Sequence, residues 1–96
     1  MTAERPLDGK LILIVEDDYF QADDARRALE AAGAKILGPF ADETGGIVAL
    51  NNGSPDCAVL DINLGLGPSL EIARNASVRG VPIVFMTMSS KSLPSS

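Results

Sequence analysis

The chain has 96 residues, 46% of them hydrophobic and 22% charged, which suits one self-folding core and leaves no room for separate catalytic and regulatory modules. Thirteen acidic against eight basic residues give a net charge of −5, which argues against the clustered Lys and Arg of a nucleic-acid or acidic-membrane surface. One cysteine, Cys57, and no histidine exclude an internal disulfide, a zinc centre and histidine-based catalysis.

Residues 1–10 are a polar N-terminal extension, and the first apolar run is too short for a signal segment or a membrane span, so a soluble cytoplasmic protein is expected. That run, Leu11 to Val15, is continuously aliphatic and ends on Glu16-Asp17-Asp18, the pattern of a strand buried on both faces. From Tyr19 to Ala32 the period changes: Ala22, Ala25, Leu29 and Ala32 share one helical stripe, with Asp17 or Asp18 as N-cap and Gly33 as stop. Ala34 to Phe40 reads as a second strand broken by Gly38-Pro39. Asp42 to Asn52 is a weaker helix, because Gly45-Gly46 costs roughly 1 kcal/mol per glycine relative to Ala.

Asn52-Gly53-Ser54-Pro55 is turn chemistry, and Asp56 to Leu60 is a third buried run closing on Asp61. Glycine-rich Asn63 to Gly67 leads into a helix that starts near Pro68, a favourable first-turn residue, and ends around Gly80. Val81 to Thr87 is a fourth strand, and residues 89–96 form a flexible polar tail. The alternation implies an α/β fold: a parallel sheet with right-handed crossovers and helices on both faces, whose ligands bind beyond the carboxyl ends of the strands.

At that edge the first strand ends in Glu16, Asp17 and Asp18, the third in Asp61 and the fourth in Thr87. With the first and third strands as neighbours, at least three carboxylates converge. Two like charges ~4 Å apart repel by about 4 kcal/mol at an effective dielectric near 20, so the cluster must hold a proton or bind a cation. Oxygen-only donors favour a hard ion, Mg²⁺ before Ca²⁺ or Mn²⁺. The plainer alternative, that these acids cap the following helix, suits Asp18 best and Asp61 poorly, since no helix starts until several residues after Asp61. A carboxylate beside Mg²⁺ is a competent phosphoryl acceptor, and the Thr87 hydroxyl could hydrogen-bond the new phosphoryl group.

Ile12-Leu13-Ile14-Val15-Glu16-Asp17-Asp18, Ala58-Val59-Leu60-Asp61-Ile62-Asn63-Leu64 and Pro82-Ile83-Val84-Phe85-Met86-Thr87 together resemble the receiver domain of bacterial two-component response regulators, over roughly Leu11 to Ser89. The resemblance implies a flavodoxin-like fold, Glu16 and Asp17 as an acid pair for Mg²⁺, and Asp61 as both phosphoacceptor and metal ligand. It further implies a main-chain carbonyl ligand at Asn63, Thr87 as the switch hydroxyl, and the phosphohistidine of a sensor histidine kinase or phosphotransfer protein as donor. Such a domain catalyses its own phosphotransfer and dephosphorylation rather than acting as a conventional enzyme. The acceptor segment and Gly38-Pro39-Phe40 look closer to stand-alone receivers of alphaproteobacteria than to those fused to DNA-binding domains.

Three departures accompany it. Receiver domains continue through a fifth strand, which carries a Lys before Pro, and a fifth helix; this chain stops about where the fourth helix is expected. Lys10 lies about 16 Å away at the wrong end of the first strand and Lys91 in the tail, so neither replaces that Lys. Met88 stands where the family has a small residue and would crowd Asp61, and Gly67-Pro68-Ser69 replaces the common Asp-Gly turn. A chain truncated in this way is expected to bare its fourth strand, to strip cover from Ile12, Ile14 or their face-mates, and to form a homo-oligomer through the exposed edge. Two functions follow from the resemblance: a phosphoacceptor receiver with a weakly compensated phosphorylated state, or a degenerate, phosphate-independent docking or dimerisation module.

Overall fold

In a computed structural model of the chain, the described residues are 5–61, 63–64, 67–68 and 70–86. The elements in chain order are β1 (Leu11–Val15), α1 (Tyr19–Ala31), β2 (Lys35–Phe40), α2 (Glu43–Gly53), β3 (Cys57–Asp61), β4 (Asn63–Leu64), β5 (Gly67–Pro68), α3 (Leu70–Val78) and β6 (Ile83–Met86). Four of the strands make one parallel sheet in the order β2-β1-β3-β6, the parallel α/β sheet that the alternation predicts and the flavodoxin-like arrangement that the resemblance implies. Asn63–Leu64 and Gly67–Pro68 form a separate antiparallel ribbon. Pro68 therefore belongs to a strand rather than to the first helical turn, and α3 begins two residues later than expected.

Side chains of β1 alternate between two cores because successive Cβ atoms point to opposite faces of a strand. Leu13 and Val15 join Leu50, Ala58, Leu60, Ile72 and Ala76 beneath α2 and α3. Ile12 and Ile14 join Ala34 and Val59 on the other face, where Ala25 and Leu29 of α1 and Leu7 of the N-terminal segment pack against them. Ile12 and Ile14 are thus themselves buried, and the expected loss of cover on this face falls on a face-mate, Val84, which pairs with Val59. The exposed apolar residues of that edge are Val84 and Phe85, at 53% and 45% exposure, on the strand that has no outer neighbour among the described residues.

α1 starts where Asp18 accepts the Gln21 N–H at 3.1 Å, the capping role assigned to that residue. Its solvent face carries Arg26–Asp23, Arg26–Glu30 and Arg27–Asp24 pairs at helical spacing, worth a few tenths of a kcal/mol each. Gly33, at φ +105°, follows the helix as expected.

β2 is not broken by Gly38-Pro39. It runs through them with a bulge: Leu13 pairs with Leu37 and Val15 with Phe40, so two residues of β2 oppose Ile14. Gly38 has φ +108°, and a Cβ there would lie 2.9 Å from the Ile14 carbonyl, so only glycine fits. The glycines of α2 also have a packing reason. A Cβ on Gly46 would stand 2.6 Å from Val15 Cγ2 and 2.7 Å from Ile72 Cδ1, both in the core. Gly46→Ala is therefore expected to lower the melting temperature by roughly 5–10 °C, because overpacking of about 1–3 kcal/mol outweighs a helix-propensity gain of about 1 kcal/mol. Differential scanning calorimetry checks this; an unchanged or raised midpoint would show that α2 can move aside.

Candidate functional site

β1 and β3 are neighbours, with Val15 opposite Leu60, so the residues that follow them meet at the carboxyl edge of the sheet. There Glu16, Asp17 and Asp61 each present a carboxylate oxygen, and the three oxygens lie within 4.8 Å of one another. Their exposures differ: Glu16 is buried, Asp61 half-buried and Asp17 open to solvent. The convergence expected of these three residues is present.

Glu16 is held from both its backbone and its side chain. Its N–H donates to the Phe40 carbonyl at 2.9 Å, a bond that the β2 bulge brings into line, and its Oε2 accepts the Asp18 N–H at 2.8 Å. Burial pushes the carboxyl from its usual 4.5 up to about 7; the Asp18 N–H opposes the rise, and the charge of Asp61, a hydrogen bond with Asp17 and the charge of Asp17 add to it. An all-oxygen cluster whose innermost member is destabilised as an anion by burial and by neighbouring charge is the donor chemistry of a hard divalent cation. The residues fit Mg²⁺ in that sense.

Asp18 does not join the cluster as a fourth acid: it caps α1, and its amide orients Glu16. The backbone of Asn63 lies in β4, opposite Pro68, two residues past Asp61. β6 is described as far as Met86, which pairs with Asp61 in the register. Thr87, with Met88 and Lys91, lies outside the described residues, so its expected role rests on sequence order.

Three features of this edge were not read from the sequence. The Phe40 carbonyl and the Asp18 amide are main-chain groups that carry no residue-type signal. Glu43 Oε2 accepts the Ile72 N–H at 2.8 Å across 29 positions. Tyr19 and Phe20, at 74% and 76% exposure, form an edge-to-face pair with ring centroids 5.4 Å apart next to the acids. Their position off the Ala22/Ala25/Leu29 stripe was the signal available for the last of these.

No family model and no curated protein matches the chain. Solved structures do. The solution structure of SdrG from Sphingomonas melonis Fr1 is 32% identical and superposes with a TM-score of 0.75 over 99% of this chain and 78% of that one. The signal receiver domain of a modulated diguanylate cyclase from Desulfovibrio desulfuricans G20 is 34% identical, with a TM-score of 0.74 over 84% of this chain and 66% of that one. The response regulator PhyR from Brucella abortus, at 20% identity, shares the fold with a TM-score of 0.72 over 85% of this chain. Several matched chains are longer, and this one spans 54%, 66% and 35% of three of them. A parallel sheet in receiver order, an acid triad at its carboxyl edge and identity above 30% over most of SdrG place the chain among the receiver domains of two-component response regulators.

Proposed function

We propose that the chain is a phosphoacceptor receiver in which Asp61 takes a phosphoryl group from the phosphohistidine of a sensor histidine kinase or phosphotransfer protein. The observation that carries the reading is the convergence of Glu16, Asp17 and Asp61 carboxylate oxygens within 4.8 Å. Glu16, Asp17 and Asp61, with the Asn63 main-chain carbonyl, would hold Mg²⁺. When bound, that ion supplies charge neutralisation for the incoming phosphoryl oxygens.

In the transfer, an Asp61 oxygen forms the new O–P bond as the donor's N–P bond breaks, and the departing imidazole keeps the electron pair and takes a proton from solvent. These 96 residues contain no histidine, so the phosphohistidine lies outside them. Glu16, fixed by the Phe40 carbonyl and the Asp18 amide, presents its carboxylate without rearrangement, which limits the ordering cost of the transition state. Thr87 is assigned as the hydroxyl that reports the phosphoryl group. The exposed Tyr19–Phe20 pair beside the site suits an apolar contact with the donor protein. SdrG from Pseudomonas melonis Fr1 has been solved in a BeF₃-activated conformation, which supports looking for the same response here.

Residues 1–96 act as a single unit in this reading, and a cytoplasmic location suits a receiver. No helix among the described residues is long and apolar enough to cross a membrane. Incubation with Mg²⁺ and acetyl phosphate is expected to add the mass of one phosphoryl group, and Asp61→Asn or EDTA to abolish the gain. No gain in the wild type would overturn the assignment.

A second reading has its own observation. Val84 and Phe85 are exposed on β6, which favours self-association through that strand, with the fold used as a dimerisation module independent of phosphate. Light scattering at tens of micromolar is expected to give more than the monomer mass; a clean monomer would remove this reading.

A further inference from the structure

We infer that Glu43 is a positioning residue for the phosphoacceptor reaction, an inference that rests on the reading of Asp61 given above. Glu43 opens α2, and its Oε2 accepts the N–H of Ile72, the third residue of α3, at 2.8 Å. That amide is one of the first-turn donors that no helix can satisfy internally, and a carboxylate there also meets the positive end of the helix dipole. α3 is the helix that follows Asp61, nine residues on.

The other side of the α2 start is tied to the acid cluster. Three residues before Glu43, the Phe40 carbonyl accepts the Glu16 N–H at 2.9 Å. Between the two contacts, Asp42 caps α2 by accepting the Gly45 N–H at 2.7 Å. Gly46 lies so close to Val15 and Ile72 that a Cβ would stand within 2.7 Å of each side chain. One short stretch, Phe40 to Gly46, thus touches both arms of the site: the end of β1, which bears Glu16, and the helix that receives the chain after Asp61.

Asp61 itself is set by β3, which pairs with β1 on one side and β6 on the other. α3 begins nine residues after Asp61, and the Glu43 carboxylate ties its first turn to α2. Loss of that acceptor leaves the acid cluster intact while loosening the frame in which Asp61 attacks. The three carboxylates carry the charge that would hold the ion and keep their places, so the effect falls mainly on the rate of phosphoryl transfer and only slightly, through the neutral Asn63 carbonyl, on metal affinity.

The test measures the initial rate of phosphorylation by acetyl phosphate at saturating Mg²⁺, by intact mass, beside Mg²⁺ affinity by calorimetry. Glu43→Ala is expected to slow labelling about five- to tenfold with Mg²⁺ affinity held within about twofold. Glu43→Gln keeps a side-chain carbonyl for the Ile72 N–H and restores the rate to within about twofold. Asp42→Ala loses the α2 cap but keeps the Glu43 contact; it lowers the melting temperature and leaves the rate within about twofold. If Glu43→Ala does not fold, Glu43→Asp, which ends one methylene short of the amide, must show the same selective loss. A wild-type rate in Glu43→Ala, or equal slowing in Asp42→Ala, overturns the role of Glu43 alone, whereas an unlabelled wild type overturns the reading of Asp61 beneath it.

Discussion

Asp61→Asn is expected to raise the melting temperature of the metal-free protein by roughly 4–8 °C, the shift that about 1 kcal/mol produces in a domain of this size, while abolishing phosphoryl uptake. The two effects have one cause. Asp61, Asp17 and buried Glu16 crowd like charge, and the Asp61 charge is one of the causes that lift the Glu16 carboxyl to about 7. An unscreened pair at ~4 Å would repel by about 4 kcal/mol at an effective dielectric near 20, and exposure of Asp17 and half-exposure of Asp61 reduce what is recovered to about a quarter of that. The neutral amide relieves the repulsion but offers no anionic oxygen to attack phosphorus. A site kept at a cost in stability is the usual mark of function. Thermal unfolding in EDTA at pH 7.5 checks the first effect; an unchanged or lower midpoint in the variant would mean that the cluster is not electrostatically strained.

Stabilisation by Mg²⁺ should be strongly pH-dependent, with affinity about tenfold weaker at pH 6 than at pH 8. The sign follows from Glu16. Its carboxyl titrates near 7 when folded against 4.5 as an ordinary glutamate, so the folded state holds the extra proton between those values. The contribution to stability is complete below about pH 4.5 and is lost as pH rises through 7, to an extent on the order of 3 kcal/mol in the metal-free protein. Divalent cation binding needs the deprotonated carboxylate, so at pH 6 a proton must be displaced and at pH 8 it is already gone. Metal-free protein should therefore melt higher at pH 5.5 than at pH 7.5, and Mg²⁺ should close that gap from the alkaline side. Melting curves with and without Mg²⁺ across this range decide it; a Mg²⁺ shift equal at both ends would exclude Glu16 as a ligand.

Much of this edge was legible in the sequence because its signals are local or periodic. The unbroken aliphatic run of β1 marks a strand between two layers of helices, and Leu13 and Ile14 are both fully buried, on opposite faces. Asp18 reads as a cap from its place before the α1 stripe, and Asp61 reads as chemistry because no helix follows it at once.

What escaped was non-local or carried by the backbone. Gly38-Pro39 signals interruption, yet β2 takes up the extra residue as a bulge opposite Ile14, which also places the Phe40 carbonyl against Glu16. Gly45-Gly46 signals a weak helix, whereas the requirement it meets is close approach to Val15 and Ile72, set by residues far away in the chain. Pro68 suits a helix start and instead pairs with Asn63. Ile12 and Ile14 keep their cover because α1 and Leu7 lie over them, and of their face-mates it is Val84 that is exposed.

In this mechanism the Glu16, Asp17 and Asp61 cluster delivers phosphoryl transfer to one atom group, the Asp61 carboxylate. Borohydride reduction converts an aspartyl phosphate to homoserine, so tandem mass spectrometry of protein treated with Mg²⁺, acetyl phosphate and then borohydride reads the acceptor directly. Homoserine is expected at position 61 alone, dependent on Mg²⁺; homoserine at position 17, or none at any position, would overturn Asp61 as the acceptor.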